Sequence, residues 1–204
     1  LGIALTVRAE SHGLPVIALG ILGFFIYAYG IYAIEQVYNG FYPLYLAILS
    51  ASVYALIYGF ACIGGSQRNV PVPPVWFLRA AALYSILIAL MFNVIWFGRL
   101  IPLLQEGNRI EFTFSILIID LCFIMPGFVL AAIMALRGLR TGIVALPVLF
   151  IVGIGILSPL ALAEILKPLR YDLPTDAGSL WLWAVLSLLF LLFAVAHIVS
   201  AKRR

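Results

Sequence analysis

The chain is 204 residues long, 65% of them hydrophobic and only 10% charged, with a formal net charge of +4. A water-soluble domain of this length needs far more charge to cover its surface, so ordinary soluble enzymes and binding modules are excluded. The basic residues sit at the ends of apolar runs, not in a stripe interleaved with aromatics, which excludes a nucleic-acid interface and reads as orientation in a bilayer.

A helix needs about 20 apolar residues to cross the hydrocarbon core, and this chain offers such runs repeatedly. A barrel would instead alternate over segments of about ten residues. The expected fold class is therefore all-α: a polytopic transmembrane helix bundle forming a single transmembrane domain.

The chain begins with "LGIALTV" and a polar turn, "RAESHG". Seven helical residues rise only about 10 Å, so residues 1–9 read as the end of a truncated helix. A cleaved or disordered leader is the competing account, and without a basic n-region the segment is not a signal peptide as written. Six complete spans follow: 14–36, 42–63, 75–100, 112–136, 141–166 and 179–201. The connectors "NGFYP", "GGSQRNVPVPP", "PLLQEGNR", "RGLRTG" and "KPLRYDLPTDAG" carry the breakers that separate them. Each is short, so sequence neighbours are expected to pack as antiparallel neighbours.

Arg8, Arg68, Arg79, Arg137, Arg140, Lys202, Arg203 and Arg204 fall on one side of this topology. Arg99, Arg109, Lys167 and Arg170 fall on the other, mixed with acidic residues. The positive-inside bias places the first group, and with it the C-terminus, in the cytoplasm. Cys62 and Cys122 lie in different spans toward opposite faces without CxxC spacing, so they read as two small buried apolar side chains.

Polar residues gather in the extracytoplasmic halves of the spans. Glu35 and Asn39 lie at the outer end of the first, Asn93 and Arg99 in the outer third of the third, and Glu164 at the outer end of the fifth. Asp120, in "FSILIIDLCFIMPGF", lies about 12 Å into the fourth. A carboxylate there costs about 2.5–3.5 kcal/mol on insertion scales, so it is expected to face the bundle interior, pairing with Arg99. Six residues on, Pro126 withdraws an amide and is expected to kink the helix. The bland alternatives are helix-to-helix bonding for Asp120 and snorkelling to water for Glu35 and Glu164. Phe25, Tyr29, Tyr32 and Gln36 share one helical face, and Tyr42, Tyr45, Leu49 and Ser52 share one on the next span. Facing each other, they would wall an aromatic, hydroxyl-lined cleft; plain interhelical bonding is the alternative. Pro147 and Pro159 make the fifth span irregular. His12 and His197 lack metal-ligand spacing, and no phosphate loop, HExxH or nucleophile elbow occurs.

The run "YAYGIYAIEQVYNGFYPLYLAILSASVYALI" resembles a signature of a widespread family of uncharacterised bacterial multi-pass membrane proteins. Tyr27, Tyr29, Tyr32, Asn39, Tyr45, Ser50 and Ser52 carry the resemblance, and Asp120 and Pro126 match that family's Asp–Pro helix. Glu35 and Gln36 depart from it, where small residues are expected. The resemblance implies the bacterial cytoplasmic membrane and about eight helices in the intact protein, and it carries no assigned activity.

The expected function is non-enzymatic: binding a small or amphipathic ligand, or packing as an accessory subunit among other membrane subunits. The pocket residues are Asp120, Arg99, Asn93, Glu35, Tyr29, Tyr32, Asn39 and Glu164. No catalytic residue, metal or resident cofactor is assigned; a bound lipid, quinone or pigment suits the pocket. The alternative is a small-solute or proton-coupled transporter using Asp120, followed by a lipid-modifying enzyme.

Overall fold

The computed structural model describes residues 13–36, 38–65, 72–106 and 114–201. The segment 1–9, read above as the end of a truncated helix, lies outside them. The order is α1 (Gly13–Ile34), α2 (Tyr42–Gly65), α3 (Val75–Glu106), α4 (Phe114–Ile119), a π-helical turn (Asp120–Ile124), α5 (Met125–Leu136), α6 (Arg140–Tyr171) and α7 (Ala177–Ser200). Six helical stretches are long and apolar enough to cross a membrane, with α4, the π turn and α5 together supplying one of them. The chain is an all-α, multi-pass membrane protein, and no β-strand occurs among the described residues. Successive spans alternate in direction, so the bundle has a Glu35 end and a His197 end.

Local chemistry sets the helix ends. After α1, Gln36 takes a left-handed backbone at φ 54°. Asn39 then accepts a bond from the Phe41 amide through its side chain at 2.9 Å and from the Tyr42 amide through its carbonyl at 3.0 Å. That arrangement turns the chain into α2. At the end of α5, Gly138 at φ 71° donates to the Ala135 carbonyl, and Leu139 donates to Met134. These two bonds form a Schellman cap, which favours glycine at its left-handed position. Helix α6 runs past Leu166 and through Pro168 to stop at left-handed Asp172. Asp176 caps α7, accepting from the Gly178 amide at 3.0 Å and the Ser179 hydroxyl at 2.7 Å. Helix α3 likewise continues past Leu100, through Pro102, to Glu106.

Helix α6 is the most buried span and packs against α1, α5 and α7. Leu146, Pro147 and Phe150 on it have almost no exposed surface. Lipid tails are as apolar as leucine, so close packing and not water exclusion holds such helices together. Ala81, Ala82 and Ala89 of α3 accordingly share a buried core with Ala131, Ala132 and Ala135 of α5, where small side chains let the backbones approach. Large rings fill the wider space beside them: Tyr84 stacks on Phe193 at 4.5 Å, and Phe150 and Phe190 lie 6.0 Å apart. Helix α2 leans mainly on α1 and buries little. Both cysteines are free, but neither is buried as the sequence suggested: Cys62 is half-buried and Cys122 is exposed. The latter lies two residues beyond buried Asp120, on the opposite side of the helix.

Candidate ligand cavity around Asp120

The fourth span changes helical geometry at the residue that matters most. Pro126 has no amide to donate, and its ring would press on the carbonyl four residues back in a regular α-helix. The chain answers with one wider turn: the Met125 amide bonds to the Asp120 carbonyl, five residues earlier. The sequence suggested a kink at Pro126; a π turn relieves the same conflict, and such turns frequently occur at functional sites. Asp120 opens this turn and is 6% exposed.

Two side chains hold the carboxylate. The Trp96 indole donates to Oδ2 at 2.9 Å, and the Tyr27 hydroxyl is also hydrogen-bonded to Asp120. Three spans therefore meet at one carboxyl group, which satisfies the rule that buried polar groups find partners. The expected Asp120–Arg99 ion pair is not what joins these helices. Arg99 is exposed, and its guanidinium carbon lies 5.3 Å from the centre of the Trp96 ring. The indole touches both, taking the cation on its face and giving its N–H to the carboxylate.

Around this group lies a cavity of about 400 Å³, drawn from α1, α3, the fourth span, α6 and α7. Its walls are mostly apolar: Phe24, Phe92, Phe128 and Trp183 contribute rings, and Ile156 and Leu160 contribute branched chains. Asp120, with Trp96 and Tyr27 bonded to it, is the main polar group of this lining, and Tyr32 adds a hydroxyl. That volume is near the small end of the roughly 300–1,000 Å³ typical of ligand pockets, and a few convergent polar groups on an apolar wall is their usual pattern. The wall is tight where α1 meets α6, because a Cβ on Gly155 would come within 2.7 Å of the Phe24 ring. Beyond that contact, Tyr32 and Leu160 line the cavity while remaining 44% and 42% exposed, so the cavity reaches the surface there.

The remaining sequence-predicted residues are distributed around this centre. Tyr32 lines the cavity and packs against Tyr45 with ring centres 5.1 Å apart and planes tilted by 30°. Tyr29 turns toward α2, touching Phe25, Tyr32 and Tyr45 with centres 5.8–6.1 Å apart, outside the cavity lining. Asn39 reaches Tyr45 at 3.4 Å and otherwise shapes the α1–α2 turn. Glu35 accepts a hydrogen bond from fully buried Ser115, tying the end of α1 to the start of α4. Asn93 donates to the Ala89 carbonyl of its own helix at 2.7 Å. Glu164 pairs with Lys167 and accepts from the Asp176 amide at 3.3 Å, so it organises the α6–α7 connection. Asn93, Asn39, Glu35 and Glu164 thus have partners away from the Asp120 cavity.

Sequence reasoning passed over Trp96 as a site residue and took Tyr27 only as part of a tyrosine ladder. The ladder in fact divides. Tyr27 is 7% exposed and enters the cavity, whereas Tyr29, two residues later, points away at the angle that a helix imposes. The available signal for Trp96 was an indole one turn before Arg99 on the span beside Asp120. Elsewhere, buried His197 has an unpartnered Nδ1, and half-buried Tyr84 has a buried hydroxyl without a partner. Among the described residues, no group of three or more His, Cys, Asp or Glu side chains is placed to hold a metal. No family model, curated protein or solved structure matches the chain, so the tyrosine-ladder resemblance rests on its motif residues alone.

Proposed function

We propose that this protein binds a small amphipathic ligand, non-catalytically, in the cavity around Asp120. In this reading it lies in a bacterial cytoplasmic membrane with its Glu35 end extracytoplasmic and its C-terminus cytoplasmic, as the charge distribution favours. The observation that carries the proposal is one buried carboxylate, held by two neutral donors, in the wall of an otherwise largely apolar cavity of about 400 Å³. A carboxylate placed only to bond helices together needs no empty volume beside it. The chemistry for an enzyme is thin: the lining contains no histidine, cysteine, serine or lysine.

The test is what the protein carries out of the membrane. Purified wild-type protein, extracted with organic solvent and examined by mass spectrometry, should yield a stoichiometric small molecule enriched over bulk lipid. Ala28 lines the cavity, and Ala28→Trp should fill it and remove that molecule while the protein stays folded. Absence of an enriched molecule from wild type, or its full retention by folded Ala28→Trp, would overturn the reading.

A second reading, accessory subunit of a membrane assembly, is favoured by α2. Tyr54 is 71% exposed about 18 Å along this helix from Tyr42. A phenol facing outward at that depth suits a partner helix better than lipid tails. Crosslinking from position 54 to a second polypeptide would support this role, and crosslinking only to lipid would argue against it.

A further inference from the structure

The cavity's polar groups are unequal in what they have left to offer, and this bears on the chemistry of its ligand. The Trp96 N–H and the Tyr27 hydroxyl are both committed to Asp120. A carboxylate accepts about four hydrogen bonds, so Asp120 retains acceptor capacity after these two. A second acceptor lacks its usual helical donor in α6. Pro159 cannot donate to the carbonyl of Gly155, four residues earlier in α6, and both residues line the cavity. The lining contains no lysine, arginine or histidine. Arg99 is exposed, lies over the face of the Trp96 ring and is not among the lining residues. The remaining donors in the lining are the Tyr32 hydroxyl, near the surface, and the Trp183 indole.

We propose that the cavity selects an apolar molecule headed by a hydrogen-bond donor, an alcohol, phenol or amine, with that donor seated on Asp120. This deepens the ligand-binding reading above and rests on it. A hydroxyl satisfies the site in both directions, giving its hydrogen to Asp120 and accepting one from Tyr32 or Trp183. An anionic headgroup meets a carboxylate with no cation in the lining to offset it. A plain hydrocarbon leaves the spare acceptor capacity of Asp120 unfilled in an apolar surrounding, which is costly. The body of the ligand lies along Phe24, Phe92 and Phe128, and it enters where Tyr32 and Leu160 reach the surface.

Brominated probes of equal chain length separate these cases, because bromine quenches indole fluorescence on contact and Trp96 and Trp183 both line the cavity. Trp76 and Trp181, both about 70% exposed, are first replaced by phenylalanine to remove surface quenching. The protein is then titrated in nanodiscs with 11-bromo-1-undecanol, 11-bromoundecanoate and 1-bromoundecane. The expected result is saturable quenching by the alcohol, with at least fivefold weaker half-saturation for the carboxylate and the bromoalkane. Asp120→Leu should bring alcohol and bromoalkane to the same half-saturation. Equal saturable quenching by all three probes in the Asp120 protein would overturn donor selection while leaving the cavity a binding site. Quenching that never saturates with any probe would overturn both proposals. The probe comparison in the Asp120 protein decides the matter even where Asp120→Leu fails to fold.

Discussion

Replacing Asp120 by leucine tests whether the carboxylate is held as described, because two opposing effects set the outcome. Removing a carboxylate from mid-span relieves about 2.5–3.5 kcal/mol on insertion scales. The same change orphans the Trp96 N–H and the Tyr27 hydroxyl, and each buried unsatisfied group costs about 1–3 kcal/mol. The two nearly cancel, so Asp120→Leu alone should alter stability little and cannot by itself be diagnostic. Coupling is the informative quantity. Trp96→Phe removes the 2.9 Å bond while keeping an aromatic ring, and its cost should shrink once Asp120 is already leucine. Interhelical hydrogen bonds in membranes average about 0.6 kcal/mol, with a maximum near 1.7, in double-mutant cycles. A 2.9 Å bond to a buried carboxylate belongs in the upper half of that range. The assay is equilibrium unfolding of the four proteins in mixed micelles by SDS titration, followed by far-ultraviolet circular dichroism. Additivity within about 0.3 kcal/mol, the behaviour of independent sites, would refute the claim that these two side chains hold one another.

Further outcomes follow from other parts of the bundle. Gly155→Ala places a methyl group 2.7 Å from the Phe24 ring and should cost about 1–3 kcal/mol as an overpacking change, measured by the same titration; an unchanged midpoint would show that Phe24 moves freely. Gly138→Ala, at φ 71° and with no neighbour within 4 Å of the added carbon, should cost about 1–2 kcal/mol from backbone conformation alone. Bonds from the Ser179 hydroxyl and then from the Ser179 and Gly178 amides hold the Asp176 carboxyl below its ordinary value of 3.8. Its contribution to the start of α7 is therefore complete above that value and is lost as pH falls through the lower folded value. Hydrogen exchange of the first turn of α7, followed on lowering pH, should show that loss beginning at higher pH in Ser179→Ala; coincident curves would contradict the cap.

Some of this was legible in the sequence and some was not, for physical reasons. The six spans follow from apolar length alone, since a bilayer imposes that requirement on any helix. Asp120 stood out because a carboxylate in such a run needs an interior, and Pro126 because an absent amide must be accommodated. Their local rules also say where to look for a partner, but not which one. Trp96 is 24 residues away and Tyr27 is 93, and the choice between Arg99 and Trp96 depends on the rotation of α3 about its own axis. Asn93 and Glu164 were drawn into the pocket by depth alone. Depth does not distinguish a residue bonded to its own helix, as Asn93 is, from one facing a cavity. The helix ends past Leu100 and Leu166 were misjudged because Pro102 and Pro168 read as stops, although a proline is tolerated where neighbouring groups satisfy the backbone.

The π turn also brings the two halves of the fourth span into one phase. A regular helix advances about 100° per residue, and the wider turn absorbs one surplus residue, so the flanks keep the relation they would have with one residue fewer. With the surplus present, Asp120 points into the bundle while Ala131, Ala132 and Ala135 lie against α3. Deleting a single residue between 121 and 124 would let a regular helix form with both faces still turned inward. Straightening the turn at its present length would instead offset the flanks by about 100°, and either the alanine seam or the carboxylate would rotate toward the lipid. The cavity and the alanine seam therefore both depend on the wider turn that Pro126 favours.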